Sequence, residues 1–396
     1  MDLGNCMPHD GGTLVGRAWV PGPVPGPSVF AVVDGLAYDL SPRYPTMSAL
    51  LERDDAAAAA RDVGGLPLLG ALADIAANGA VGGADPQRPR LLAPCDLQAI
   101  KACGVTFMTS LIERVIEERA GGDPRKAETL RQVLSDEIGE NLRDVKPGSS
   151  RATALKDALI AKGMWSQYLE VAIGPDAEVF TKSQVLSAVG HGSEIGIHPG
   201  SSWNNPEPEI VLAIDSRGRI RGATLGNDVN LRDVEGRSAL LLGKAKDNNA
   251  SCAIGPLLRL FDAGFSLDDV RSCTVSVRVT GPDGFSLAAT SEMRLISRDP
   301  ADLARQAINE HHRYPDGLVL FLGTMFAPVQ DRDQRGGGFT HKRGDMVEIS
   351  TPRLGRLVNR VGYTHETPPW EFGISALMHN LAERGLLSAV PASARP

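Results

Sequence analysis

The stretch Asn204-Asn-Pro-Glu-Pro-Glu-Ile210 sets two glutamates, Glu207 and Glu209, two residues apart at the head of an apolar run. Side chains two apart on a strand share a face, so these carboxylates converge, and their repulsion is costly without a cation. After Val211-Leu-Ala-Ile-Asp215, a turn and a second apolar run lead to Gly226-Asn-Asp-Val229. Asp228 can then return beside the pair as a third hard oxygen ligand. Three carboxylates suit magnesium, which prefers octahedral oxygen coordination and keeps positions open for substrate oxygens. Acidic pairs are also common on exposed strand faces, so Glu-x-Glu alone specifies little.

Holding three carboxylates on one face requires a sheet, and from about residue 205 the sequence supplies strands between turns. These are Ile210 to Ile214, Ile220 to Leu225, Thr274 to Val279, Met293 to Ile296, Leu318 to Leu322 and Met346 to Ile349. Upstream the texture is helical. Leu111, Ile112, Val115 and Ile116 form a stripe at three-to-four spacing, and Asp123-Pro124 opens a second helix carrying Leu130, Val133, Leu134, Ile138 and Leu142. A last helix over about 373–385 carries Ile374, Leu377 and Leu381 on one face and stops at Gly385. Residues 1–92 differ in composition, with the turn-rich Val20-Pro-Gly-Pro-Val-Pro-Gly-Pro-Ser28, an alanine run Ala56 to Ala60 that reads as plain surface helix, and a loop-like 79–90. The organisation expected is a small α/β domain over 1–92 and a mainly β domain over 93–396 with a helical insert at about 120–165.

Bulk properties narrow the function. A net charge of -7 and a pI near 5.7 provide no broad basic surface for phosphates, which argues against nucleic acid. Five scattered cysteines with no C-x-x-C spacing fit reduced thiols. The N-terminus has no signal-peptide pattern, and no apolar run reaches the roughly 18–20 residues that span a bilayer. A cytoplasmic protein without a membrane is expected. His191 reads as a loop residue, and His311-His312 lacks metal-binding helical spacing.

The order Glu-x-Glu, strand, Gly226-Asn-Asp-Val229 and Lys246-Asp-Asn-Asn-Ala-Ser-Cys-Ala-Ile-Gly-Pro256 resembles the signature of the fumarylacetoacetate hydrolase superfamily over roughly residues 93–361. Leu92-Ala-Pro94, Gly104-Val-Thr-Phe107, Phe180-Thr-Lys182, Gly323-Thr324 and Gly344-Asp345 are similar to further elements of that family. The resemblance implies an α+β, mainly β fold, a mixed β-sheet roll, with Glu207, Glu209 and Asp228 binding Mg2+, or Mn2+ or Ca2+. It also implies that Lys246 orients a substrate carboxylate or enolate oxygen, and that Thr324, Lys182, Asn248, Asn249 and Ser251 contact substrate. Asn248-Asn249 can equally be turn chemistry. Arg232, Asp233 and Arg237 read as ion-paired support around the site.

Hydrolytic members of the family activate water with a histidine after the Gly-x-x-Phe/Tyr element. Here that segment, Thr106-Phe-Met-Thr-Ser-Leu-Ile-Glu-Arg114, has none, and Glu113 is aligned with the histidine. A buried carboxylic acid suits protonation of a leaving hydroxyl, which favours dehydration, with Glu117 one turn later as second candidate. By spacing alone Glu113 reads as the solvated face of a helix. Trp165 to Ala172, Asn230 to Asp247 and Gly323 to Pro328 are similar to members that dehydrate 2-keto-3-deoxy-D-pentonates to 2,5-dioxopentanoate and water in oxidative pentose catabolism. The expected ligand is a small 2-oxo sugar acid and the expected assembly a homodimer or dimer of dimers. A hydrolase or decarboxylase of acylpyruvates, or a noncatalytic relative, are the alternatives.

Overall fold

Along the strand Pro208–Ile214, Ile210, Leu212 and Ile214 alternate with Val211 and Ala213, and both sets are buried. This strand therefore has a packed layer on each face, which explains its unbroken apolar run. The structure is a computed structural model and describes residues 2–129, 145–161, 163 and 165–387.

Two mixed sheets dominate. The larger runs, edge to edge, through Leu68–Ala71, Leu36–Asp39, Gly26–Val33, Leu14–Val20, Cys252–Leu260, Ile220–Asp228, Pro208–Ile214, Leu318–Phe321, Ala99–Gly104 and Glu178–Ser183, with Arg90–Leu92 also paired to Leu14–Val20. Its neighbours are antiparallel except Leu318–Phe321 with Ala99–Gly104, which are parallel. The smaller sheet runs Ser286–Glu292, Thr274–Thr280, Met346–Thr351, Gly355–Tyr363 and Glu194–Ile197. Val275, Val277 and Val279 point inward from it while their neighbours face solvent. They meet Ile210, Leu212, Ile214, Ala223 and Leu225 of the larger sheet in the main core. Each of the valine, leucine and isoleucine side chains, fully buried, contributes about 1.5–3 kcal/mol.

The expected domain boundary near residue 92 falls between Arg90–Leu92 and Ala99–Gly104, and strands from both sides of it share the larger sheet. The proline-rich 20–28 stretch turns one antiparallel strand into the next. Within the helical insert the structure describes a turn of helix at 124–129 and the helix Ser150–Ala161; Leu130, Val133, Leu134, Ile138 and Leu142 lie outside the described residues.

Three local expectations are corrected. Met293 to Ile296 is not a strand: Met293–Leu295 is a 3-10 turn, in which buried Met293 closes the core beside an exposed Leu295. The strand there is the preceding, more polar Ser286–Glu292. The alanine run forms the helix Ala56–Arg61, but Ala56, Ala59 and Ala60 are buried, because a small side chain lets the helix lie close on the sheet. On the last helix, Ile374–Glu383, Leu377 and Leu381 are buried but Ile374 is exposed. Among the described residues no helix is long and apolar enough to cross a membrane.

Candidate metal centre

Sheet register gathers the acidic residues. Pro208–Ile214 and Ile220–Asp228 are antiparallel, with Glu209 opposite Gly226 and Pro208 opposite Asn227. One further step puts Glu207 opposite Asp228, whose amide donates to the Glu207 carbonyl at 3.0 Å. Directly opposed residues share a face, as do residues two apart, so Glu207, Glu209 and Asp228 project together. Gly226 completes the arrangement, since a Cβ there would lie 2.3 Å from the Phe321 ring. One oxygen from each of the three carboxylates falls within 4.8 Å of the others, and all three residues are buried. Oxygens across an octahedral magnesium shell are about 4 Å apart, so a modest contraction accommodates the ion. Three hard oxygens without a competing sulfur or imidazole are the donor set such an ion prefers.

Cations surround the cluster. Lys246 donates to both Glu207 and, at 3.0 Å, Asp228. Lys182, with no exposed surface, pairs with Asp228 at 3.0 Å and donates to the carbonyls of Lys246 and Val229 and to the Ser251 hydroxyl. Arg114 reaches the other Glu207 oxygen at 2.8 Å and also Glu117 and Glu235, each at 2.6 Å. Glu209 accepts the Gly323 amide at 2.6 Å.

The electrostatics follow from these partners. Burial raises Asp228, but the ammoniums of Lys182 and Lys246 outweigh it and hold its carboxyl below the usual range. For Glu209 burial and repulsion from Asp228 and Glu207 act together and push it well up. Burial also raises Glu207, against the pull of Lys246. Lys246 is held firmly protonated by Asp228 and Glu207 despite its burial. Cys103 lines the same cavity, but burial and the nearby Glu209 push its thiol well up, so it supplies no thiolate near neutral pH.

The cavity around the cluster is lined by Cys103, Gly104, Val105, Ser110, Arg114, Glu178, Phe180, Glu235, Lys246, Gly323 and Thr324 besides the three carboxylates. No histidine lines it among the described residues. From the helix Met108–Ala120 it is Ser110 and Arg114 that face the cavity, not Glu113. Glu113 is buried and pairs with Arg232 at 3.0 Å, and Glu117 lies between Arg114 and Arg232. Burial works against the Glu117 charge, but those two guanidiniums hold its pKa low. Arg232 stacks over Trp203, 4.2 Å from the ring centre. Glu113 and Glu117 thus belong to a buried ion network behind the cavity.

Thr324 lines the cavity, and its hydroxyl oxygen accepts the Phe326 amide. Asn248, Asn249 and Ser251 do not reach the cavity. Ser251 donates to the Lys246 carbonyl, Asn248 to the Lys244 carbonyl, and Asn249 to Thr364, Thr367 and Pro368. Asp233 binds Ser201 and Ser202. His191 is neutral: its Nδ1 accepts the Val358 amide, its Nε2 meets the Leu3 carbonyl, and burial lowers its pKa to about 4.

Sequence reasoning missed Arg114, Glu178 and Glu235. Extending the alternation of Phe180 and Lys182 back by two residues would have found Glu178. Glu235 ends a four-residue helix, Arg232–Glu235, without an apolar period, so nothing local marks it as facing inward.

Gly323 offers a direct test of the scaffold. Its φ of +88° is in the left-handed region, and a Cβ would fall 2.0 Å from the Thr106 hydroxyl. Gly323→Ala is expected to cost roughly 1–3 kcal/mol from backbone conformation alone, with more from the clash. Because its amide holds Glu209, the thermal gain on adding Mg2+ should shrink as well. Unchanged denaturation midpoints with and without Mg2+ would refute this role.

Comparison with known proteins gives a consistent context. The family model described as fumarylacetoacetate (FAA) hydrolase C-terminal matches residues 161–362, half of the chain. A 2-dehydro-3-deoxy-D-arabinonate dehydratase of Saccharolobus solfataricus is 28% identical over 184 residues, 46% of this chain and 58% of that protein. A probable 2-keto-3-deoxyxylonate dehydratase of Haloferax volcanii is 30% identical over 200 residues, 50% of this chain and 64% of that protein. The matched part therefore spans about six-tenths of the length of both relatives. Among solved structures, 2-keto-3-deoxy-D-arabinonate dehydratase in its apo form aligns with a TM-score of 0.60 at 20% identity, covering 88% of this chain and 99% of that one. The same enzyme complexed with magnesium and 2,5-dioxopentanoate aligns at 0.58 with the same identity and coverage. At this identity the likeness shows the fold.

Proposed function

Since the chain belongs to the fumarylacetoacetate hydrolase family, we propose that it is a divalent-metal-dependent dehydratase converting 2-keto-3-deoxy-D-pentonates to 2,5-dioxopentanoate and water. The observation that carries this reading is one buried cavity in which three carboxylates and Lys246 converge with no histidine among the described residues. That composition favours elimination over hydrolysis, because no imidazole is in place to activate a water. The names of the two curated relatives support the same substrate class.

In this reading Glu207, Glu209 and Asp228 would hold Mg2+, or Mn2+ or Ca2+ in its place, and the ion would supply positive charge to the oxygens of a 2-oxo acid. Arg114 and Lys246 each take one oxygen of Glu207 and so fix that carboxylate before substrate arrives. Lys246 adds a positive point charge beside the substrate carboxylate. The Thr324 hydroxyl, accepting from the Phe326 amide, directs its own proton to a substrate oxygen. Lys182 acts by holding Asp228 and the Lys246 backbone, and Asn248, Asn249 and Ser251 by shaping the loop between them. Glu113 and Glu117 act through Arg232 and Arg114 to seat the helix that presents Ser110. The division into 1–92 and 93–396, a cytoplasmic setting, and assembly as a homodimer or dimer of dimers belong to the same proposal.

The test is a coupled assay in which a 2,5-dioxopentanoate dehydrogenase reports product from 2-keto-3-deoxy-D-pentonate, with Mg2+ and with EDTA. Mg2+-dependent turnover of one C4 epimer at least is expected. Turnover of neither, or turnover indifferent to EDTA, would sink the reading.

A further inference from the structure

We propose that the fold holds a second cation site beside the three carboxylates, an oxygen cage for a monovalent ion, and that the chain fills it with its own Lys182 ammonium to position Asp228. This rests on the reading of Glu207, Glu209 and Asp228 as a divalent-ion site. It does not depend on the substrate.

Lys182 lies on the strand Glu178–Ser183 and has no exposed surface. Its Nζ is 3.0 Å from Asp228 Oδ1, 3.2 Å from the Val229 carbonyl and 3.3 Å from the Ser251 hydroxyl, and it also donates to the Lys246 carbonyl. Four oxygens thus surround an ammonium that has three N–H groups. A shell with one oxygen more than its occupant has donors suits an ion that bonds equally in all directions. Its charge is that of one carboxylate among three neutral oxygens, and ligand charge of this kind matches a single positive charge rather than two. Lysine is almost never fully buried unless it is paired, and here the partners form a coordination shell.

The shell joins the two segments that present charge to the metal site. Val229 follows Asp228 at the end of the strand Ile220–Asp228, and Lys246 ends the short helix Leu242–Lys246. Ser251 closes the loop after that helix: its hydroxyl donates to the Lys246 carbonyl and accepts the Asn248 amide, and its carbonyl takes the Val229 amide at 3.2 Å. Without a cation at the centre, a carboxylate and two carbonyls would face one another across a buried space, which is costly.

This arrangement acts on Asp228 from outside the cavity, which Asp228 lines and Lys182 does not. The Lys182 ammonium holds Oδ1, while Oδ2 is the oxygen that Lys246 meets at 3.0 Å inside it. Asp228 is thereby turned to give the metal one oxygen, as a small octahedral ion that keeps waters and substrate oxygens in its shell requires. Lys182 is a positioning residue in this role, and no substrate atom reaches it.

Lys182→Ala and Lys182→Met are compared with wild type in choline chloride, KCl, NH4Cl and ethylammonium chloride at equal ionic strength, by melting temperature and by calorimetric Mg2+ binding. Wild type should be indifferent to the salt. In choline chloride, whose cation is too large for the space, Lys182→Ala should bind Mg2+ about 10–100-fold more weakly, the scale on which the support of a metal ligand acts. K+, NH4+ or ethylammonium should raise its melting temperature and recover most of the Mg2+ affinity. Lys182→Met, whose side chain fills the space without charge, should stay weak in every salt, which separates an occupied cage from a general salt effect. A Mg2+ Kd for Lys182→Ala within about threefold of wild type in choline chloride would show that no cation is needed there. Equal weakness of Lys182→Ala in all four salts, its failure to fold in all four, or rescue of Lys182→Met by the same ions would each overturn the cage. If wild type itself binds no Mg2+, the metal reading falls, while the salt dependence of Lys182→Ala melting still decides whether the cage takes an ion.

Discussion

Glu209→Gln is expected to remove the response to Mg2+ while leaving the metal-free protein as stable as wild type or more so. The carboxyl of Glu209 is buried beside Glu207 and Asp228; among the described residues its hydrogen-bond donor is the Gly323 amide, with the Lys246 charge acting from farther off. Burial and like-charge repulsion already hold it toward its neutral form, so an amide of the same shape forfeits nothing in the absence of a cation. The amide oxygen can still accept from Gly323. With the ion the sign reverses. At a hundredfold excess over Kd a bound ion adds about 2.7 kcal/mol to wild-type stability, and the variant should lose most of that gain. Turnover should fall by about 10^2–10^3-fold or more, the scale of removing one preorganised element of charge stabilisation. Thermal denaturation with Mg2+ and with EDTA, beside the coupled assay, checks both halves. A variant that keeps the wild-type Mg2+ shift would exclude Glu209 as a ligand.

Lys246→Met makes the opposite prediction for the metal-free state. The ammonium bridges Glu207 and Asp228 with almost no exposed surface, so its removal leaves two buried carboxylates short of their cation. Breaking a buried pair from one side costs about 3–5 kcal/mol, and methionine fills the space without the charge. Lys182 and Arg114 remain and set the loss toward the lower end. Added Mg2+ should restore more stability in this variant than in wild type, because the ion then supplies the missing positive charge. Activity should not return with stability: dehydration is expected to stay about 10^2–10^3-fold down without the ammonium beside the substrate. Equal midpoints for variant and wild type without Mg2+ would show that the pair contributes nothing, and recovery of turnover by Mg2+ would remove Lys246 from the chemistry.

These two variants separate what the cluster does to the fold from what it does to a ligand. Lys246, Lys182 and Arg114 are shared among Glu207, Asp228, Glu117 and Glu235, and among the described residues Glu209 is the member of the cluster with no ion pair to an ammonium or guanidinium. A divalent ion is the complement that this asymmetry favours.

Local sequence pattern determined much of the site. Period-two spacing put Glu207 and Glu209 on one face, apolar runs marked Pro208–Ile214, Ile220–Asp228, Thr274–Thr280, Leu318–Phe321 and Met346–Thr351, and the Leu111–Val115–Ile116 stripe marked the helix Met108–Ala120. Each of these properties is settled within a few residues, by pleat or by helical turn, and needs no knowledge of the rest of the chain. The same locality explains the misses: Met293 to Ile296 is apolar enough for a strand but closes a turn, and Ala56 to Ala60 reads as surface although the sheet covers it.

Only the tertiary structure decided which acids meet. Asp228 joins Glu207 and Glu209 because antiparallel register, not spacing, opposes it to Glu207. Glu178 comes to the cavity because a strand beginning 74 residues after Gly104 pairs with that glycine and finds no side chain there. The rotation of the helix about its axis gives the cavity Ser110 and Arg114 and turns Glu113 back onto Arg232. The three carboxylates were therefore legible as a pair and a candidate, whereas the groups surrounding them were not. Register and helix rotation are fixed by the summed packing of the whole core, and a one-residue slip in either would present a different set of side chains to the ion.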